Sequence, residues 1–262
     1  HGALFHVKVI LTPMPFNLMG LALAIFLVFR NSASYERFWE GRKLWGALMV
    51  TSRDLARQFE SFLHPADGGE DEAAELAHTR HRMTRAIIAY AHALRHHLRG
   101  SDPGTDFDRL LPADWRPALA HADHRPAAVL QRLGGELRLC IERAWVAPIL
   151  AQEIDRSFSR LGEVLGGCER IRSTPIPFSY SVLLHRTVYV YCYLLPFGLI
   201  DTIGNFTPLV VGIVAYTFFG LDAIGDEIEE PFGTTANDLP LSALSHAVEA
   251  DLRELSGEGC TP

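Results

Sequence analysis

Five histidines crowd one stretch of the chain: His78, His81, His92, His96 and His97. His92 and His96 are spaced i, i+4, which sets two imidazoles on one helix face in the way a divalent metal uses them. The stretch is rich in arginine and offers no carboxylate or cysteine in ligand spacing, so it is expected to be a solvated helix surface, and no metal site is predicted. Cys140, Cys168, Cys192 and Cys260 are widely separated with no Cys-x-x-Cys pair, and they read as reduced, structural thiols. No Ser-His-Asp or His-x-x-Glu-His pattern and no Gly-rich phosphate loop occurs, so neither an enzyme nor a cofactor is expected.

Two polar groups stand where charge is costly. His185 and Arg186 interrupt an otherwise uncharged run from Ser173 to Ile200. In an apolar segment such groups face protein, water or a partner, so they are either a gating element or a structural pair. In the structural reading Arg186 binds an acid, with Asp222, Asp226 and Glu229 as candidates. The run Asp226-Glu227-Ile228-Glu229-Glu230 ahead of Pro231 is either a solvated helix end or a carboxylate ring that concentrates cations.

The elements that carry these residues are membrane-length. Val9 to Phe29 is uncharged, Thr202 to Leu221 is uncharged, and a hydrocarbon core needs roughly 20 apolar residues. The first run passes straight into the charged segment from Arg30, so one long helix is expected. The second and third should form a hairpin turning at Gly204-Asn205. Lys and Arg counts favour a cytoplasmic region from 31 to 172: Arg37, Arg42 and Lys43 follow the first run, Arg170 and Arg172 precede the second, and the turn has none. The first segment then runs from outside inward, so a preceding span, absent from this sequence, is expected, making four in all. The organisation is 1–30 for the first span, 31–172 for a cytosolic helical region, 173–222 for the hairpin and 223–262 for a C-terminal cytosolic segment.

The cytosolic part reads as helices, with Leu44, Leu48, Leu55 and Phe59 at helical spacing. Breaks are expected at His64 to Gly69, at Gly100 to Gly104 and around Arg125-Pro126. Asp238 is expected to cap a last helix ending near Leu255. A hydrophobic content of 48% with a mean hydropathy of +0.09 fits a mixed membrane and polar chain, and a formal charge of -7 excludes a general nucleic-acid binder.

Four blocks carry a family resemblance. They are Arg30-Asn31-Ser32-Ala33-Ser34-Tyr35-Glu36-Arg37 with Glu40-Gly41-Arg42-Lys43-Leu44-Trp45-Gly46; Gly167-Cys168-Glu169-Arg170-Ile171 with Thr174-Pro175-Ile176-Pro177-Phe178; Leu184-His185-Arg186-Thr187-Val188-Tyr189; and Glu230-Pro231-Phe232-Gly233-Thr234 with Asn237-Asp238-Leu239-Pro240-Leu241. In this order they resemble the bacterial bestrophins. The resemblance implies an all-α polytopic membrane protein, a homopentamer around one central pore in the bacterial inner membrane, whose partners are its own copies, lipids and permeating inorganic ions. It implies a hydrophobic neck at Leu21, Ile25 and Phe29 and a cytosolic aperture at Ile149. Bacterial members conduct cations and animal members chloride under calcium control. Here Thr234-Thr235-Ala236-Asn237-Asp238 holds a single carboxylate where the animal proteins bind calcium, so no calcium gating is expected. A cation channel is the first reading; an anion channel and a membrane scaffold are the alternatives.

Taken alone, Leu21, Ile25 and Phe29 fall at i, i+4, i+8, a stripe about 12 Å long. Such side chains equally suit contact with lipid, and periodicity does not choose between the two.

Overall fold

The computed structural model describes residues 14–66 and 69–257. The start of the first uncharged run, the pair 67–68 and Cys260 lie outside the described residues. The described chain is all-α, with no strand.

α1 runs unbroken over Met14–Phe62, 49 residues. Nothing in the sequence stops it: Pro15 sits in its first turn, where the missing N–H has no helical partner, and no further proline follows until Pro65. The chain divides into two compact units, one of residues 14–38 with 175–231, the other of 39–174 with 232–257.

The first unit joins the start of α1 to α7 (Phe178–Ile203) and α8 (Thr207–Glu229). A single 3-10 turn, Gly204–Phe206, links α7 to α8. Gly204 supplies a left-handed backbone (φ 53°) that a side chain resists, and Pro208 in the first turn of α8 fixes the restart. Its core takes Phe16, Leu23 and Leu27 from α1 and Leu184, Val188, Tyr191, Cys192 and Leu195 from α7, each set at helical spacing. A Cβ at Gly198 would strike the Phe16 ring, so glycine there sets the approach of the two helices. Met14–Phe62 and Phe178–Glu229 contain segments long and apolar enough to cross a membrane.

The second unit is built on α2 (Glu70–Arg99), which contacts α3 (Gly104–Leu110), α5 (Arg125–Glu142), α6 (Pro148–Ser173) and α9 (Leu241–Leu255); α4 (Arg116–Ala120) lies against α3 and α5. From Ala86 to Leu94 every α2 residue is buried, so about two and a half turns of helix are wrapped on all sides. Tyr90 donates from its hydroxyl to the Leu161 carbonyl at 2.6 Å, satisfying the one polar atom it brings inside. Leu48, Leu55 and Phe59 of α1 are buried here as their spacing indicates. Glu70, Asp71 and Glu72 complement the positive end of α2. The breaks fall after Phe62, at Gly100 and before Arg125. Cys140, Cys168 and Cys192 are free and buried.

Two local expectations fail. Asp238 does not cap α9; its carboxylate accepts from the Thr235 backbone N–H at 2.5 Å, closing its own loop, and Pro240 precedes the helix without a side-chain cap. His92 is not a solvated residue: it is fully buried, with Nε2 bonded to Glu249 at 2.8 Å and Nδ1 without a hydrogen-bond partner. The arginines that suggested a wet surface flank α2's buried turn and point to carboxylates, as Arg95 does to Asp106 at 2.8 Å.

Burial pushes the His92 imidazole below its ordinary value and outweighs the Asp106 and Glu249 carboxylates, which favour its protonated form. Burial also pushes the Glu249 carboxyl up, but hydrogen bonds from Arg109 and His92 and the charges of Arg109 and Arg253 prevail and hold it at about 2. Both groups have folded values below their unfolded ones, so their stability is present at higher pH and is lost on acidification. The His92 share goes as pH falls below its free value of 6.5, and the Glu249 share as pH falls from 4.5 towards about 2. The melting temperature should therefore drop between about pH 7.5 and 5.5, and His92→Gln, which keeps a donor to Glu249 and does not titrate, should flatten that step.

Candidate functional site

The rotational setting of α1 separates two kinds of apolar residue. Leu23 and Leu27 are 2% and 0% exposed, whereas Leu21, Ile25 and Phe29 are 63%, 47% and 65% exposed. At about 100° per residue, positions two apart are about 200° around the helix, so the triad lies opposite the face that packs on α7. Met14, Leu18 and Val28 share this exposure, so the apolar surface extends beyond the triad.

The packed face of α1 continues from Leu27 to a charge. Arg30, 1% exposed, sits one turn beyond Leu27 and reaches α8. Its Nη1 meets Asp222 Oδ1 at 2.5 Å and its Nη2 bonds Asp226 Oδ1, using two acids one turn apart on α8. The other Asp222 oxygen meets His185 Nδ1 of α7 at 2.7 Å, so one buried carboxylate joins three helices. Next along α1, Asn31 Nδ2 donates to the Leu221 carbonyl at 3.1 Å and Arg37 Nε to the Glu229 carbonyl at 3.0 Å. A Cβ at Gly225 would collide with the Asn31 amide, so glycine permits this seam.

The acids proposed for Arg186 are thus otherwise engaged. Asp222 and Asp226 belong to Arg30, and Glu229 accepts from the Ile176 backbone N–H at 2.9 Å. Arg186 is exposed and makes no hydrogen bond or ion pair within the chain among the described residues. Arg30 opens the first family block, yet nothing local in the sequence assigns it a partner. The available signal was a lone charge bounding the span, facing a pair of acids spaced i, i+4 in another.

Ile149 is the second residue of α6, after Pro148 at its first position, and its side chain is exposed. Of the histidine group, His92, His96 and His97 have carboxylate partners supplied by other helices: Glu249 for His92, Asp106 for His96 and Glu169 for His97.

The family pattern described as "Bacterial/Fungal Bestrophin protein" matches residues 1–254. The chain belongs to the bestrophin family. Among its relatives, a protein of Ralstonia nicotianae named voltage-dependent anion channel-forming protein RSc3414 is 44% identical over 252 residues, covering 96% of this chain and 80% of its own length. The Escherichia coli K12 protein YneE, which carries the same type of name, is 37% identical over 257 residues, covering 98% and 81%. A bacterial bestrophin homologue from Klebsiella pneumoniae is similar in structure, with a TM-score of 0.87, 40% identity and coverage of 94% of this chain and 88% of that one.

In this bestrophin, removing Asp222 leaves the buried Arg30 with only the more exposed Asp226 as its counter-charge, at a cost of up to about 3–5 kcal/mol. Asp222→Ala should therefore lower the melting temperature of the detergent-solubilised protein sharply. The double change Arg30→Met, Asp222→Leu should recover much of the loss. Arg186→Ala, at an exposed and unpaired position, should leave the solubilised protein close to wild type.

Proposed function

We propose that this bestrophin is a homopentameric ion channel of the bacterial inner membrane, with its first unit in the bilayer and its second in the cytosol. α1 lines the pore, and the α7–α8 hairpin surrounds it. The observation that carries the reading is the phase of α1: its two apolar faces serve different surroundings, one packed on α7 and one left bare. Five bare faces turned to a common axis give stacked apolar rings at Leu21, Ile25 and Phe29.

Rings of this kind coordinate no ion. They control whether water wets the constriction, since an ion stripped of water in an apolar neck meets a steep electrostatic cost. The neck is a gate more than a filter. Ile149, exposed at the start of α6, narrows the cytosolic exit. Asp238 is occupied in closing its own loop, which fits a channel not opened by calcium through that segment.

The conducted ions are small monovalent cations in the first reading, in line with what the resemblance to bacterial bestrophins implies. An anion channel is the second reading, favoured by the relatives from Ralstonia and Escherichia being named anion channel-forming proteins. A scaffold role would need no conducting path.

Purified protein in planar bilayers tests this directly. Replacing Leu21, Ile25 and Phe29 by Ala should widen and hydrate the neck and raise the current several-fold, with no dependence on micromolar calcium; unchanged current would remove the triad from the pore. Ile149→Ala should alter unitary current or selectivity. Under a potassium chloride gradient the reversal potential should lie near the potassium equilibrium value, and a reversal near the chloride value would establish the second reading.

A further inference from the structure

We propose that His97, His124 and Glu169 form a binding site for a zinc-type divalent cation in the second unit. His97 Nε2 and His124 Nε2 converge on the same carboxylate oxygen, Glu169 Oε1, at 2.7 and 2.6 Å. The three ligand atoms all lie within 4.8 Å of one another. Each comes from a different part of the fold: the last turn of α2, the residue preceding α5, and α6.

The backbone holds His97 firmly. Gly100, in the left-handed region at φ 64°, ends α2 and returns its N–H to the His97 carbonyl at 3.4 Å, while Ser101 N–H meets the His96 carbonyl at 3.0 Å. Arg172 Nη1 adds a bond to the His97 carbonyl at 2.5 Å. The guanidinium is thereby engaged by the backbone next to the site.

The donor set selects the metal class. Two imidazoles and one carboxylate suit zinc, whereas calcium and magnesium require shells of oxygen. A tetrahedral zinc with ligands at about 2.0–2.1 Å spaces them about 3.4 Å apart, so the ion needs the present contacts to open by less than 1 Å. A metal on Nε2 requires the imidazole proton to sit on Nδ1. The three side chains are all partly open to solvent, giving an ion a way in. A recess of about 410 Å³ beside them is lined by His97, His121 and Asp123, and the latter two are exposed and without an ion pair among the described residues. Water or one of these completes the coordination.

His92, His246 and Glu249 also bring their ligand atoms within 4.8 Å of one another, but their surroundings differ. Glu249 there is already held by Arg109 and by Arg253 Nη2 at 2.8 Å, and two guanidinium charges on one carboxylate oppose the entry of a metal cation. No such cation bonds Glu169 among the described residues.

The inference does not depend on ion conduction. Its test uses the full chain in detergent, freed of any affinity tag and stripped with chelator, titrated with zinc chloride in a calorimeter and in thermal melts. One zinc should bind per chain, raise the melting temperature and be removed by EDTA. His124→Ala, at an exposed position outside any core, and Glu169→Gln, which keeps a hydrogen-bond acceptor, should each weaken binding at least tenfold. His246→Ala should bind as wild type does. Absence of saturable binding to the wild type, or equal affinity in His124→Ala, would overturn the proposal.

Discussion

A charge that cannot be left alone organises the first unit. Arg30 is buried at the end of an apolar helix face, where desolvation is tolerable only with a carboxylate in contact, and Asp222 supplies it. Because the other oxygen of Asp222 takes His185, the pair also fixes α7. Hydrophobic packing alone would let α1 turn about its axis, since apolar side chains on several of its faces could substitute for one another. A guanidinium with two acids to meet admits one setting.

The second unit solves a different problem. α2 is enclosed by four helices, yet its sequence carries arginines and histidines close to the enclosed turn. Carboxylates from remote elements receive them: Asp106 for Arg95, Glu136 for Arg82, Glu249 for His92. Such pairs satisfy polar groups that burial would otherwise leave stranded, and the lowered carboxyls of Asp106 and Glu249 make the unit sensitive to acid.

The sequence made the elements legible because their signals are local. An uninterrupted run without proline gave α1, a Gly204-Asn205 turn gave the hairpin, and Arg125-Pro126 marked the start of α5. What stayed hidden depends on tertiary partners. Arg30 meets residues 192 and 196 positions away, and His97 meets Glu169 at a separation of 72, distances over which spacing carries no information. The Arg-rich composition around His92 pointed outward because composition does not distinguish a solvated cation from one paired with a distant acid. Asp238 misled for the opposite reason: its local pattern fitted a helix cap, and a competing turn three residues earlier took the carboxylate. Of the neck residues, spacing located the stripe and left its surroundings open.

The roughly half-turn offset between Leu27 and Phe29 makes α1 a coded shaft. Arg30 is the key that sets its angle, and the bare stripe is what that angle displays. Inserting a single residue between Phe29 and Arg30 would preserve composition, length class and hydropathy almost unchanged. It would also swing every upstream side chain by about 100° relative to the key. Leu21 and its companions would leave the exposed side, and Leu23 and Leu27 would lose their seats on α7. Tolerance to point substitution and intolerance to insertion should therefore coexist within the same few turns, with the helix recording orientation in its residue count as much as in residue type.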